Sequence, residues 1–262
     1  MRIDLSGKRA LVGGATRGIG LACAHALADA GAEITVAARD LDALRKLAIE
    51  LARRTGRTHS FLAVDMTKPE MVREAAAGLV EPGSPIHILI HNTGGPPAGT
   101  AIDATESALI EAFTAHVVSG QILVRALAPG MREAGYGRII NIVSTSVKQP
   151  IPGLGVSNTV RGAVNSWAKT LSAELGPWGI TVNSVLPGYT DTDRLRALIR
   201  SRAAKAGVTE AEVERSMIAE VPAGRFARPE ETAVAVAFLA SPLASYVSGT
   251  SLAVDGGKTV AL

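Results

Sequence analysis

The chain has 262 residues, of which 47% are hydrophobic and 19% charged, as expected for one α/β domain with a large aliphatic core. A net charge of +3, without a Lys/Arg-rich run interleaved with aromatics, argues against a nucleic-acid partner. The single cysteine, Cys23, excludes an internal disulfide, and no apolar run reaches the ~20 residues of a membrane span. Asp4 and Lys8 make the N-terminus unlike a signal peptide. We therefore expect a cytoplasmic protein that binds neither nucleic acid nor a membrane.

Short apolar runs alternate with longer amphipathic stretches along the chain. The predicted strands are Arg9–Val12, Glu33–Ala37, Ser60–Val64, Ile86–Ile90, Gly137–Val143, Ile180–Leu186 and Ser251–Val254. The predicted helices are Ile19–Ala30, Leu41–Arg54, Pro69–Leu79, Glu106–Glu133, a long helix ending near Leu175, Arg194–Glu220 and Glu230–Leu239. Strands buried on both faces read as continuous apolar runs. The pattern predicts one domain with a doubly wound, seven-stranded parallel sheet of the Rossmann type.

One stretch lies outside this alternation, at about residues 193–222. It is predicted to be a helical lid over the substrate cleft. Its cations are Arg194, Arg196, Arg200, Arg202 and Lys205. They could steer a phosphorylated or carrier-bound substrate, but three glutamates follow closely, so mutual neutralisation on a solvated helix is favoured.

The first predicted strand runs into a glycine-rich segment, residues 13–20. Glycines here let the chain turn tightly, let a pyrophosphate approach the backbone and let the next helix pack close to the sheet. The helix N-terminus offers free N–H groups to the same anion. Because the segment follows the first strand of a βα alternation, a dinucleotide site is favoured over a plain turn. The residues assigned to it are Gly14, Thr16, Arg17, Gly18, Ile19 and Gly20.

The second predicted strand ends without the acidic residue that would hold the ribose 2′-hydroxyl of NAD. Ala38 stands at its end and Arg39 follows, and a guanidinium suits a 2′-phosphate through paired hydrogen bonds. Arg17 could add a second cation, whereas Asp40 weakens the positive field. NADP(H) is therefore favoured over NAD(H); the alternative is that both arginines are solvated surface charges.

Five segments carry recognisable patterns: Gly14–Gly20, His91–Gly94, Gly137–Ser144, Pro187–Thr192 and Pro229–Gly257. Together they resemble the short-chain dehydrogenase/reductase family over essentially the whole chain, with the general character of β-ketoacyl-carrier-protein reductases. The family usually has Thr where this chain has Gly13, and Asn-Asn-Ala-Gly where this chain has His-Asn-Thr-Gly. The resemblance implies further cofactor contacts by Asp65 (to the adenine), Asn92, Gly94, Pro187, Gly188, Thr190 and Thr192.

Other residues occupy the positions that normally carry this family's proton transfer. The family uses an Asn, a Ser, a Tyr and a Lys, with the Lys one helical turn after the Tyr, which is the general acid/base. Here the tyrosines stand at 136, 189 and 246, and none begins a Tyr-x-x-x-Lys pattern. The resemblance places Ser157 at the Tyr position and Arg161 at the Lys position. Ser144 then matches the catalytic Ser, and His116 stands where the Asn belongs.

These replacements remove the usual proton path. The Ser157 hydroxyl titrates far above any working pH, and Arg161 can hold ribose hydroxyls or an oxyanion but cannot pass protons. His116, with an ordinary pKa near ~6.5, is one substitute. The alternative, a buried histidine bonded to a backbone carbonyl, is favoured for it.

The remaining polar candidates are weaker. Lys148 is expected at the surface, and Tyr189 is expected to pack against the nicotinamide. Ser144 is equally compatible with a catalytic role and with capping the next turn. No His/Cys/Asp cluster has metal-ligand spacing, so no metal is expected.

The sequence thus predicts an NADP(H)-dependent oxidoreductase that interconverts carbonyl and hydroxyl groups, resembling 3-oxoacyl-acyl-carrier-protein reductase, with an altered proton relay. Its substrate would be a small-molecule or carrier-bound carbonyl compound. The alternatives are a catalytically inactive or non-redox nucleotide-binding homologue, and a lyase or isomerase that uses Ser144 and Arg161 without hydride transfer. The resemblance also implies a homotetramer or homodimer, with the helices around Phe113 and Trp167 at subunit contacts.

Overall fold

Seven strands form one sheet in the computed structural model, which describes residues 2–261. The strands are β1 (Arg9–Gly13), β2 (Glu33–Ala38), β3 (Ser60–Ala63), β4 (Ile88–His91), β5 (Gly137–Ile142), β6 (Ile180–Pro187) and β7 (Ser251–Val254). Their order is β3-β2-β1-β4-β5-β6-β7, and every neighbouring pair is parallel. The predicted doubly wound parallel sheet of a single Rossmann-type domain is confirmed.

Helices cover both faces of this sheet. They are α1 (Gly18–Asp29), α2 (Leu41–Thr55), α3 (Pro69–Leu79), α4 (Glu106–Phe113), α5 (Ser119–Glu133), α6 (Gly155–Leu175), α7 (Asp193–Ala206), α8 (Glu210–Ala219) and α9 (Pro229–Ala240). One apolar core joins the sheet to α1, α2 and α9, and a second joins it to α3, α5 and α6. Because both faces are covered, central strands are apolar throughout, and β6 is buried along its whole length.

The stretch 106–133, predicted as one helix, is interrupted by a π-helical turn at Thr114–Val118 that separates α4 from α5. With a mean hydropathy of 1.4, it is the one helical stretch within residues 2–261 long and apolar enough to cross a membrane. Its α5 part packs against α3 and the sheet, so we assign its apolar side to the core. Single π-turns in α-helices often mark functional sites.

The charged stretch after β6, predicted as one helix over 194–220, is two helices, α7 and α8. Gly207 ends α7 in the left-handed region at φ +68°, a conformation that glycine adopts without penalty. Thr209 then starts α8 with a capping box closed by Glu212. The two helices share a small apolar core formed by Leu195, Ile199, Ala203, Val213, Met217 and Phe226.

The chain changes direction across the sheet between β1 and β4. β2 pairs with one side of β1, and β3 follows beyond β2. β4 then pairs with the other side of β1. At this point the Asn92 side chain, directly after β4, donates a hydrogen bond of 3.0 Å to the Gly13 carbonyl at the end of β1. Ligands of open α/β sheets bind at such a switch point, outside the carboxyl ends of the strands.

Close packing fixes the glycine loop that follows β1. A Cβ built on Gly20 would lie 2.2 Å from the Gly14 carbonyl oxygen and 2.8 Å from Asn92 Nδ2. Neither atom can move away, because the Gly14 oxygen belongs to the backbone and Asn92 is bonded to Gly13. The first turn of α1 can therefore approach the loop only with glycine at position 20.

We expect Gly20→Ala to lower the free energy of unfolding by about 1–3 kcal/mol, because the added methyl overpacks a rigid site. The control is Gly78→Ala, since Gly78 is an exposed helical glycine with open space around its Cβ position. That change should raise stability by about 0.5–1 kcal/mol. Urea titration followed by circular dichroism measures both, and equal effects would contradict the packing argument.

Candidate active site

The loop between β1 and α1 has the geometry of a pyrophosphate cradle. α1 begins at Gly18, and its first turn contains no acidic residue and no side-chain cap. Its first N–H groups and positive dipole end are therefore available to an anion. Gly14 and Gly18 have φ values of +58° and +56°, so the predicted glycines serve the turn itself. This loop fits a dinucleotide.

Two exposed arginines stand at the adenosine end of this cradle, Arg17 in the loop and Arg39 after β2. Asp40, which we expected to oppose their field, instead caps α2 by accepting from the Ala43 N–H at 3.0 Å. Its charge is thereby directed at the N-terminus of α2, where it stabilises the helix. The cations are left without an ion pair among the described residues.

Asp65, which follows β3, is held in place by its own loop. Its Oδ1 accepts from the Thr67 N–H at 3.0 Å and from the Thr67 hydroxyl at 2.9 Å. Partial burial raises the pKa of Asp65, but the Thr67 bonds and the charges of Arg39 and Lys68 outweigh it, so the pKa lies below its ordinary value. The carboxylate is thus ionised at neutral pH, with Oδ2 outside these bonds.

The loop after β6 meets the glycine loop from the other side. Gly188 lies against the backbone of Asp255, at 2.7 Å from its built Cβ, and Pro187 ends the strand. Thr190 is buried and forms a parallel bridge to Ala227. Thr192 caps α7, and its methyl lies 3.1 Å from the Cβ position of Gly18. Thr192 thus brings the loop after β6 into contact with the glycine loop.

The residues at the Tyr and Lys positions are bonded to each other. Ser157 is buried, and its hydroxyl accepts from Nε of Arg161 at 3.2 Å, one helical turn along α6. Nη1 of Arg161 donates to the carbonyls of Ile142 and Val143 at the end of β5. Burial, and to a lesser degree the charge of Arg194, lowers the pKa of Arg161 to about 10. Arg161 is still a cation at neutral pH, fixed against the strand that delivers Ser144.

Ser144 has the capping geometry that we kept open for it. Its Oγ accepts from the Ser146 N–H at 3.1 Å and starts a short 3₁₀ turn at Thr145–Val147. The same bond fixes the hydroxyl oxygen at the cleft edge and leaves its proton to be donated elsewhere. Capping and a role toward substrate are therefore compatible.

His116 lies in the π-turn between α4 and α5 and is only 4% exposed. Its Nδ1 is 2.7 Å from the Thr93 hydroxyl, after β4. Its backbone carbonyl pairs with Nε2 of buried His91 at 2.8 Å, and the His91 ring stacks edge-on against Trp167. His116 is buried, as the favoured alternative expects, and a backbone hydrogen bond with Gly94 acts on its ring. Its part in proton transfer stays a prediction.

The electrostatics of His116 differ from those of an ordinary histidine. Burial lowers the pKa of His116 to about 3, and the positive charge of Arg161 is the second cause. Burial likewise lowers the pKa of His91. Both rings are therefore neutral at physiological pH.

Two residues near the cleft, Arg194 and Thr93, were misjudged or missed from the sequence, and Tyr189 has partners that the sequence did not indicate. Arg194, counted as a lid cation, donates from Nη1 to the Gly95 carbonyl and from Nη2 to the Pro96 carbonyl, both at 3.0 Å. Thr93 received no role, although a Thr in place of the family's Ala beside a His in place of its Asn was a visible signal. Tyr189 packs against Phe226 and donates to Glu220 at 3.0 Å.

Two further expectations concern groups outside this cleft. Lys148 is exposed, as expected. Among the lid charges, Arg196 pairs with Glu214 at 3.0 Å and with Asp191 at 2.8 Å, so one of the five cations is neutralised by one of the three glutamates, as we favoured. In the part of the chain that the structure describes, no cluster of His, Cys, Asp or Glu has the arrangement of a metal site.

The same architecture occurs in proteins of known sequence and structure. A family described as Enoyl-(Acyl carrier protein) reductase matches residues 14–259. Cyclohexanol dehydrogenase of Rhodococcus sp. (strain TK6) is 33% identical, over 98% of each chain. The 3-oxoacyl-acyl-carrier-protein reductase FabG of Vibrio cholerae is 32% identical, over 97% of this chain and 98% of its own.

A solved structure matches the whole chain. L-sorbose reductase of Gluconobacter frateurii, crystallised with NADPH and L-sorbose, superposes with a TM-score of 0.94 at 32% identity, covering 100% of both chains. The fold and site thus define an α/β dinucleotide-binding protein. The chain belongs to the short-chain dehydrogenase/reductase family, and these relatives are oxidoreductases.

The buried state of His116 predicts a pH dependence of stability. Between its folded pKa of about 3 and its unfolded pKa near ~6.5, the unfolded chain binds more protons. The contribution of neutral His116 to the free energy of unfolding is therefore complete above pH ~6.5. It decreases as the pH is lowered below that value, by up to about 1.4 kcal/mol per pH unit. Urea titrations between pH 7 and pH 4 measure this. The free energy of unfolding should depend less steeply on pH in His116→Gln than in the unchanged protein.

Proton NMR of the His116 ring gives the direct check. In the folded protein the ring should not titrate between pH 5 and 8, whereas in urea-unfolded protein it should titrate near ~6.5. A folded-state midpoint between 6 and 7 would contradict the burial argument.

Proposed function

We propose that this protein is an NADP(H)-dependent oxidoreductase that interconverts a carbonyl and a hydroxyl group through an altered proton relay. One observation carries the proposal: four residues that depart from the family pattern are bonded in two pairs beside the cofactor cradle. Ser157 pairs with Arg161 at 3.2 Å, and Thr93 pairs with His116 at 2.7 Å. Each pair satisfies polar groups that would otherwise be buried without a partner, as Nδ1 of His91 is.

The cofactor preference is proposed from the charges at the end of β2. Arg39 and Arg17 are exposed cations without ion pairs in residues 2–261, at the place where a 2′-phosphate would stand. NADPH accompanies several of the relatives, among them the L-sorbose reductase structure. We therefore propose NADP(H) rather than NAD(H).

The chemistry needs a polarised carbonyl and a proton. NADPH, when bound, supplies the hydride for the carbonyl carbon. Ser144 donates its free hydroxyl proton toward the carbonyl oxygen. The fixed positive charge of Arg161 stabilises the negative charge that develops there, since a preorganised cation in a partly desolvated site acts strongly on a transition state. Ser157 holds Nε of Arg161 and so positions that charge.

A proton must then reach the oxygen without the usual tyrosine. His116 is neutral, so it cannot act as an imidazolium acid. We propose that it relays a proton instead: one ring nitrogen takes a proton from water as Nδ1 releases one to the Thr93 hydroxyl, which passes its own proton on toward the carbonyl oxygen. Such a relay depends on a buried neutral ring, which is the state that burial imposes on His116.

A second function is favoured by one specific observation, the joint loss of the Tyr and the Lys. It is a non-redox nucleotide-binding protein on the same scaffold. For either function we propose residues 193–222 as a lid, since Arg194 already holds α7 against the loop after β4. We further propose a small-molecule or carrier-bound substrate, a homotetramer or homodimer, and a cytoplasmic location.

Arg39→Ser tests the cofactor proposal. It should weaken NADPH binding about 10- to 100-fold by removing charge-assisted hydrogen bonds, and it should change NADH binding less than threefold. Fluorescence titration with both cofactors measures this. The control is Arg53→Ser, an exposed arginine of α2, which should leave both affinities within twofold. Equal losses for the two cofactors in Arg39→Ser would argue against a 2′-phosphate contact.

Ser144→Ala tests the reaction itself. NADPH oxidation across a panel of carbonyl compounds should detect turnover, and the change should lower kcat at least about 10²-fold. Ser216→Ala, at an exposed position of α8, should leave kcat unchanged. If NADPH binds but no carbonyl compound is reduced, the non-redox function takes first place. Turnover that survives changes at Ser144, His116 and Arg161 would show that the site is wrongly assigned.

A further inference from the structure

Two arginines from different elements approach one point at the cleft. Arg161 comes from α6, and Arg194 comes from the first turn of α7. A Cβ built on Gly95 would lie 3.2 Å from Nη2 of Arg161 and 2.7 Å from Nη2 of Arg194. Both nitrogens therefore flank the backbone of Gly95, and a side chain at position 95 would displace the end of Arg194.

Both guanidinium groups keep unused donors there. A guanidinium has five N–H donors. Arg161 uses Nε and Nη1 on Ser157 and on the end of β5, and its Nη2 has no acceptor among the described residues. Arg194 donates one hydrogen bond from Nη1 to the Gly95 carbonyl and one from Nη2 to the Pro96 carbonyl. Its Nε and the second proton of each Nη are left over, so donors from both arginines meet beside Gly95.

The positive charge at this point has no counter-charge. No carboxylate within residues 2–261 forms an ion pair with Arg161 or Arg194. The neighbouring rings of His116 and His91 are neutral. Burial and mutual repulsion lower the pKa of Arg161, and burial of its guanidinium lowers the pKa of Arg194 although that residue remains open to solvent. Two like charges in a partly desolvated site are costly unless something neutralises them.

Arg138, another buried arginine, has partners within the protein for its charge and its donors. Arg138 stands at the opposite end of β5, where its guanidinium lies 4.1 Å from the centre of the Tyr136 ring. It also donates to the carbonyls of Gly137 and Ser241. The Tyr136 ring, which Lys8 also contacts, offers Arg138 an aromatic face. The arginine pair at Gly95 has no aromatic partner of this kind among the described residues.

We infer that Arg161 and Arg194 together bind an anionic group of the substrate, a carboxylate or a phosphate. Its oxygens would accept from the free donors of both guanidinium groups, which are well suited to planar or tetrahedral oxyanions. The inference rests on the proposed function in taking the substrate from the same cleft. The substrates would then be oxo acids or oxo phosphates whose anionic group lies near the reacting carbonyl.

The phosphates of the cofactor are also anions that an arginine pair could bind. They belong to other places in the cleft, because the pyrophosphate fits the N-terminus of α1 at Gly18 and a 2′-phosphate fits Arg39. The arginine pair lies instead beyond Asn92, at the carboxyl ends of β4 and β5. On this geometry the pair faces the substrate end of the cleft.

Calorimetric titration tests the inference with small probes. Acetate and inorganic phosphate are each titrated into the protein, alone and saturated with NADPH, at constant ionic strength; acetamide is the neutral match for acetate. At least one anion should bind saturably, and acetamide should bind at least tenfold more weakly. Acetate shows that the site takes carboxylates, whereas phosphate alone shows that it takes phosphates.

Variants assign that binding to the pair. Arg194→Gln should weaken anion binding about tenfold or more by removing the charge and its donors, and Arg194→Lys should weaken it less. Arg200→Gln, an exposed arginine of the same helix, should stay within twofold of the unchanged protein. NADPH affinity is measured for each variant and should stay within threefold.

The outcomes separate this inference from the proposed function. Equal affinity for acetate and acetamide together with no phosphate binding would overturn it, as would equal effects of Arg194→Gln and Arg200→Gln. A tenfold loss of NADPH affinity in Arg194→Gln without loss of anion binding would also overturn it, because the pair would then serve the cofactor. Selective anion binding in a protein that does not bind NADPH would support the anion site while contradicting the proposed function.

Discussion

The hydrogen bond from the Asn92 side chain to the Gly13 carbonyl joins the two strand ends on which the whole site is built. It closes the gap at which the chain changes direction across the sheet, between β1 and β4. On one side of it the glycine loop turns into α1. On the other side Thr93 and Gly95 continue toward His116 and the arginine pair. This bond extends the backbone pairing of β1 with β4 to the loops that follow the two strands.

From this junction the site is assembled by segments that each follow a strand. The loop after β5 supplies Ser144, and the loop after β6 supplies Thr192, which meets the glycine loop. Parallel strands place all their carboxyl ends on one edge of the sheet, so residues far apart in sequence converge there. His116, Ser157, Arg161 and Arg194 come from helical segments, and each is bonded to a group at that edge or to another member of the site.

The electrostatic character of the site follows from what it lacks. With neutral histidines and no carboxylate paired to Arg161 or Arg194 among the described residues, the catalytic end is positive. A family site built on tyrosine and lysine balances an acid against a cation. In this site the fixed charges are guanidinium groups. Such groups stabilise an oxyanion better than they transfer a proton.

The sequence by itself determined the sheet and the glycine loop, because periodicity and motif spacing are local properties of the chain. The resemblance to the family singled out Ser144, Ser157, Arg161 and His116 as site candidates. Only the tertiary structure decided that His116 is neutral and paired with Thr93, that Gly207 divides the charged stretch into two helices, and that Arg194 stands beside Arg161. A pKa depends on burial and on neighbouring charges, and the meeting of residues 161 and 194 depends on how two helices close over one loop. The spacing of residues along the chain predicts neither the pKa of His116 nor the approach of these two arginines.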